Sequence, residues 1–132
     1  MKQCFENDFV KMEIHNGILF QYYKAGSNFN LDVSKKIVKA RVDFLKGRNF
    51  PVVILDEGIV SMDRASRTFF ASDEGLKGVS KAAFVETTVF SHMLIRFFFL
   101  RMQKALIAAG VFTSRRDAIN WLKGEQEQML IN

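Results

Sequence analysis

Hydrophobic and polar positions alternate near the start of the chain. Val10, Met12 and Ile14 face one way and Lys11, Glu13 and His15 the other, which predicts a strand over 10–15. Asn16-Gly17 follows, a pair suited to the positive φ angles of a type I′ turn. Residues 18–24, ILFQYYK, predict the return strand, and their apolar side chains fall on both faces, so this strand belongs inside a sheet. After a loop from Gly26 to Asn30 the period changes. A helix is predicted over Leu31–Lys46, with Asn30 or Asp32 as its cap and Gly47 as its stop. Val33, Ile37, Ala40 and Phe44 recur at helical spacing and are expected to face the sheet, with Leu31, Val38 and Leu45 beside them. Lys35, Lys36 and Lys39 fall off that stripe and read as a solvated face.

Pro51 opens the next strand, and Val52–Leu55 is a continuous apolar run, as in a parallel strand covered on both sides. Asp56 ends it. Asp63 is placed to cap a helix over 64–73, and DEGLKG (73–78) turns the chain into a strand over Ala82–Glu86. Thr87 or Thr88 caps a long helix that is expected to run to Ala109, with Gly110 as its end. Val111 and Phe112 make a short strand. Ser114 and Asp117 open a last helix that runs to Lys123, with Ala118, Trp121 and Leu122 inside. Residues 1–8 and 125–132 read as frayed tails of a single domain.

The order is ββαβαβαβα. It predicts an α/β domain: a mixed, mostly parallel five-stranded sheet with an N-terminal β-hairpin and about four helices.

Composition narrows the function classes. The chain has 132 residues, 48% of them hydrophobic and 25% charged, the make-up of one globular domain. Cys4 is the single cysteine, so no disulfide can form within the chain, and no CxxC pair suggests a metal. No apolar run approaches the roughly 18 residues of a transmembrane segment. The start, MKQCFENDF, lacks the apolar core of a signal peptide, and the expected location is the cytoplasm. The net charge of +5 raises the question of nucleic acid, yet the basic residues are dispersed in runs no longer than two, so a nucleic-acid footprint is not expected.

No catalytic set emerges. Asp56, Glu57 and Asp63 are close in sequence, but no lysine, histidine or cysteine in that loop completes an acid–base or nucleophilic arrangement. His15 lies beside the hairpin turn and His92 shares a polar stripe with Arg96 and Gln103. GLKG (75–78) follows a helix instead of preceding one and reads as a turn, not a phosphate loop. No cofactor is expected.

The segment VFSHMLIRFFFLRMQKAL (89–106) carries more information. On a helical wheel Phe90, Met93, Leu94, Phe97 and Leu100 point broadly one way. Ile95, Phe98, Phe99, Met102 and Leu106 continue round to another side. A helix lying on one sheet needs an apolar stripe of only ~100°, and this one is apolar over far more. Ile95, Phe98, Phe99, Met102 and Leu106 are therefore the candidate interface of a homodimer.

PVVILD (51–56), VSMDRASRTFFASDEGLKGVSKAAF (60–84) and FTSRRDAINWLK (112–123) give the chain a resemblance to the STAS/SpoIIAA-like family of small bacterial domains, a group often of unknown function. That fold is shared by anti-sigma-factor antagonists, in which a serine at a helix N-terminus after such a loop is phosphorylated by a kinase partner. Ser61, Met62 and Asp63 resemble the approach to that site. Arg64 and Ala65 stand where the antagonists have serine, and Ser66 comes one position later. The resemblance implies a non-enzymatic regulatory or protein-interaction domain, with Asp56, Ser61, Asp63, Arg64, Ser66 and Arg67 as candidate binding or switch residues. The alternative is a carrier or sensor of a small apolar or anionic ligand such as a lipid, since a similar fold hosts lipid-transfer domains. Arg64, Arg67 or Arg96 would then hold the acidic head.

Overall fold

The computed structural model describes residues 3–86, 95, 96, 100, 101, 104 and 107–131, with 125–131 as backbone only. The alternating segment forms strand β2 (Val10–His15) and the return strand β3 (Ile18–Tyr23), paired antiparallel from Val10↔Tyr23 to His15↔Ile18. Asn16 at φ 52° and Gly17 at φ 79° make the turn that the left-handed region allows.

Residues 3–6, read from sequence as tail, instead form an edge strand β1 (Gln3–Glu6) on β2. Two contacts hold it there: Phe5 lies 6.2 Å from Phe44, and Glu6 pairs with Lys24 at 2.6 Å. β4 (Asn28–Phe29) and β6 (Ser61–Met62) form a separate two-residue parallel ribbon. β5 (Phe50–Asp56), β7 (Val79–Val85) and β8 (Ala108–Phe112) complete the main sheet. Its order is β1-β2-β3-β5-β7-β8, so six strands replace the expected five. β1, β2 and β3 are antiparallel, and every pairing from β3 onward is parallel.

Three helices lie among the described residues: α1 (Leu31–Leu45), α2 (Arg64–Phe70) and α3 (Arg115–Ile131). The fourth expected helix falls largely outside them; Ile95, Arg96, Leu100, Arg101 and Lys104 are helical. Its expected end at Ala109 is corrected, because Ala108 already pairs with Lys81 in the sheet. An edge of β7 with unpaired amides outweighs the helix propensity of two alanines. At the other end of the chain, α3 continues to Ile131, past the expected Lys123.

The sheet is covered on both faces. Leu19, Val52 and Ala82 pack with Ile37, Val38 and Leu45 of α1 and Phe70 of α2. Ile18, Phe20, Val53 and Ala83 pack with Ala118 and Leu122 of α3. The apolar run of β5 is thus filled from both sides, which is why it carries no alternation.

α1 begins at Asn30, whose side chain accepts from the Val33 amide at 2.9 Å. It ends at Lys46, which takes the left-handed conformation at φ 54°, one residue before the expected Gly47. The inward face is also rotated. Ser34, Ile37, Val38, Arg41 and Leu45 are buried, while Val33, Ala40 and Phe44 sit half-buried at its margin. Ser34 fits inside because its hydroxyl donates to the Asn30 carbonyl at 2.9 Å.

Candidate functional site

The carboxyl ends of β3, β5 and β7 form the place where an open α/β sheet presents groups to a ligand or partner. Asp56 closes β5. Its Oδ1 accepts from the amides of Gly58 at 2.8 Å and Ile59 at 2.7 Å, so the carboxylate shapes the loop from inside. Gly26 N–H donates to the Gly58 carbonyl and Val60 N–H to the Ser27 carbonyl, both at 2.9 Å. The Gly26–Asn30 loop is thereby tied to the loop after β5, and the β4–β6 ribbon grows out of these bonds.

Asp63 caps α2. Its Oδ1 accepts from the Ser66 amide at 2.8 Å, and this bond holds the carboxyl below its ordinary range. A folded pKa lowered in this way adds stability above the unfolded value, and the gain is lost as pH falls through the folded value. The advantage of the wild type over Asp63→Asn is therefore expected to be full at neutral pH and to vanish in acid. Urea midpoints measured across that range check this.

The other candidates separate by exposure. Ser61 is exposed and its hydroxyl donates to Asn28 Oδ1 at 2.7 Å. Arg64 is exposed. Arg67 donates from Nη1 to the Met62 carbonyl at 2.7 Å, which ties α2 back to β6. Ser66 is 0% exposed, and its hydroxyl donates to the Phe29 carbonyl at 3.1 Å. Its oxygen is enclosed by α2 and β4 and meets no solvent.

The apolar wheel over 89–106 also needs correction where residues are described. Ile95 is 6% exposed and belongs to the main core, so it does not lie on an interface surface. Leu100, from the other apolar side of the wheel, is 65% exposed. A wheel with two apolar sides cannot say which one the sheet takes. Phe98, Phe99, Met102 and Leu106 lie outside the described residues.

Beneath the loop is a cavity of about 60 Å³, lined by Tyr23, Arg41 and Asp56 and otherwise mostly by apolar side chains such as Ile59, Met62 and Phe84. Arg41 is 3% exposed. Its Nε donates to the Lys77 carbonyl at 2.9 Å and its Nη2 to the Gly75 carbonyl. Burial lowers the Arg41 pKa, and the nearby Tyr23 opposes that shift. Burial likewise pushes the Tyr23 phenol up, with a smaller push from the Asp56 carboxylate, against the pull of Arg41 and of a hydrogen bond from Gln21 Nε2 at 2.9 Å. Gln21 is itself wholly buried, and its Oε1 has no partner among the described residues.

Arg41, Tyr23 and Gln21 escaped the sequence reading, which looked for charge on exposed faces. One signal was present: Arg41 stands four residues after Ile37 and four before Leu45, on the inward stripe itself. Among the described residues no group of three or more histidine, cysteine or carboxylate side chains could hold a metal ion. No helix among them is long and apolar enough to cross a membrane.

A family model described as "Domain of unknown function (DUF7793)" covers residues 12–126. No curated protein and no solved structure matches the chain.

Proposed function

The chain belongs to the DUF7793 family, and from its geometry we propose a non-enzymatic regulatory domain of STAS-like fold that works through protein contacts. The observation that carries this reading is the surface over the carboxyl end of β5, exposed on top and pinned underneath. Val60 is 62% exposed, with Ser61 and Arg64 exposed close by in the chain. Around and below them Asp56, Asp63, Ser66 and Arg67 each hold a backbone group. A patch fixed in this way loses little conformational freedom when a partner docks on it.

The STAS-like reading is supported by the sequential order β3-β5-β7-β8 after an antiparallel hairpin. It is supported further by the run Ser61-Met62-Asp63 leading directly into α2.

Homodimerisation through the 89–106 segment is part of the proposal. Leu100 supports it: a large apolar side chain stands open to solvent, with Arg96, Arg101 and Lys104 also exposed. Sedimentation at low micromolar concentration is expected to give a dimer for the wild type and a monomer for Leu100→Glu. A wild-type chain that sediments as a monomer removes the dimer from the proposal.

The cavity favours a second reading, a carrier or sensor of a small ligand. Its volume of about 60 Å³ suits a molecule of a few heavy atoms and not an acyl chain. Of the cations first considered for an acidic head, Arg64 and Arg96 are exposed and Arg67 is engaged by Met62. Among the described residues Arg41 is the cation that lines the cavity.

A further inference from the structure

We propose that the cavity beneath the loop after β5, between the sheet and the end of α2, binds a small monocarboxylate, held by Arg41 and Tyr23; this rests on the second reading above and names its ligand class. The argument starts from two hydrogen-bond donors that line one cavity and find no acceptor among the described residues.

A guanidinium carries five N–H donors. Arg41 uses Nε on Lys77 and Nη2 on Gly75, and Nη1 makes no hydrogen bond to a described residue. Both acceptors it has are neutral carbonyls. No described carboxylate forms an ion pair with it, although it is almost wholly buried. A cation removed from water calls for a counter-charge, and partial charges on two carbonyls only begin to supply one.

Tyr23 repeats the pattern. Its oxygen accepts from Gln21 Nε2, so its own proton is directed elsewhere. Turning the Gln21 amide end for end would pair the phenol proton with Oε1, but it would strand the amide N–H groups instead. A donor is left over in either orientation.

An acceptor with one negative charge would meet both donors, provided that it sits towards Arg41 and away from the Asp56 carboxylate in the same lining. A carboxylate is planar and matches the guanidinium fork, and the phenol can donate to the same group. The rest of the lining is mostly apolar, with Ile59, Met62, Phe70, Leu76 and Phe84 placed to take a short alkyl group. A phosphate dianion suits the site less. Its second charge would meet no second cation among the described lining residues and would double the repulsion from Asp56.

The test is a titration of the full chain, followed by nuclear magnetic resonance at constant ionic strength. Sodium propionate, inorganic phosphate and 1-butanol are the probes, with sodium chloride as background. Propionate is expected to move the Arg41 Nε–H and Tyr23 ring signals saturably. Tyr23→Phe keeps the ring that packs on Phe29 and Phe70 and is expected to weaken propionate by about ten-fold or more, the usual loss of a hydrogen bond to a charged group. Saturable binding of phosphate or butanol with none of propionate overturns the carboxylate and leaves the small-ligand reading standing. No saturable shift with any probe overturns both. Propionate that binds equally to wild type and Tyr23→Phe overturns the assignment of Tyr23.

Discussion

Gly75→Ala is expected to lose about 3 kcal/mol or more of folding stability, because its added methyl group has nowhere to go. A Cβ at this position would stand 2.0 Å from the Phe69 carbonyl oxygen and 2.7 Å from the Phe70 Cα. These are backbone atoms at the end of α2, so no rotamer change relieves the clash. The turn is closed from within: the Gly75 amide donates to Ser72 Oγ at 3.1 Å and the Leu76 amide to the Ser72 carbonyl at 3.0 Å. Relief must come by moving the whole turn away from α2. That movement would lift Leu76 out of the core and pull the Gly75 carbonyl from Arg41. Trp121 packs on Phe112 at the opposite face of the sheet and serves as a fluorescent reporter of global unfolding. A urea midpoint equal to that of the wild type would show that the turn does not rest on the backbone of α2. The same variant is expected to lose propionate binding, since the turn positions the guanidinium.

Much of the fold could be read from patterns that depend on near neighbours in sequence. The Asn16-Gly17 turn, the alternation of β2, the Asn30 and Asp63 caps and the continuous apolar run of β5 each follow from a few adjacent side chains. What escaped depends on partners far along the chain. β1 is a strand only because β2 offers an edge and Phe44 a ring. β4 and β6 exist only as a pair across some thirty residues, with Asn28 opposite Ser61 and Phe29 opposite Met62. Neither half has a periodicity to detect.

The site divides in the same way. Asp56 and Asp63 were visible because a strand end and a helix start announce them. Arg41 was hidden by the assumption that charge marks the outer face of a helix. Its burial depends on the carbonyls of Gly75 and Lys77, more than thirty residues away. A periodicity that scores arginine as polar rotates the α1 stripe towards Val33, Ala40 and Phe44. The stripe that packs runs through Ser34, Ile37 and Arg41.

The two candidate serines can be separated by asking what a negative charge would meet at each. Ser66→Asp is expected to cost about 3 kcal/mol or more, the scale of an uncompensated charge in a protein interior. Ser66 has no exposed surface, and its hydroxyl is committed to the Phe29 carbonyl. An aspartate there sets a carboxylate against that carbonyl oxygen and removes the only donor Phe29 receives from the serine side chain. Phe29 packs against Tyr23 at 5.4 Å and Phe70 at 6.3 Å, so the disturbance reaches the aromatic cluster beside the cavity. Ser61→Asp is expected to stay within about 0.5 kcal/mol of the wild type, as exposed substitutions usually do. The Ser61 side chain gives up one exposed hydrogen bond to Asn28 and then faces water. A kinase acting on the folded domain therefore has Ser61 within reach and Ser66 out of reach. Incubating the folded chain with ATP and an extract of its native cell, followed by mass analysis, is expected to place phosphate on Ser61 and none on Ser66. Phosphate on Ser66, with α2 still folded by amide exchange, would overturn both the burial argument and the ordering of the two serines.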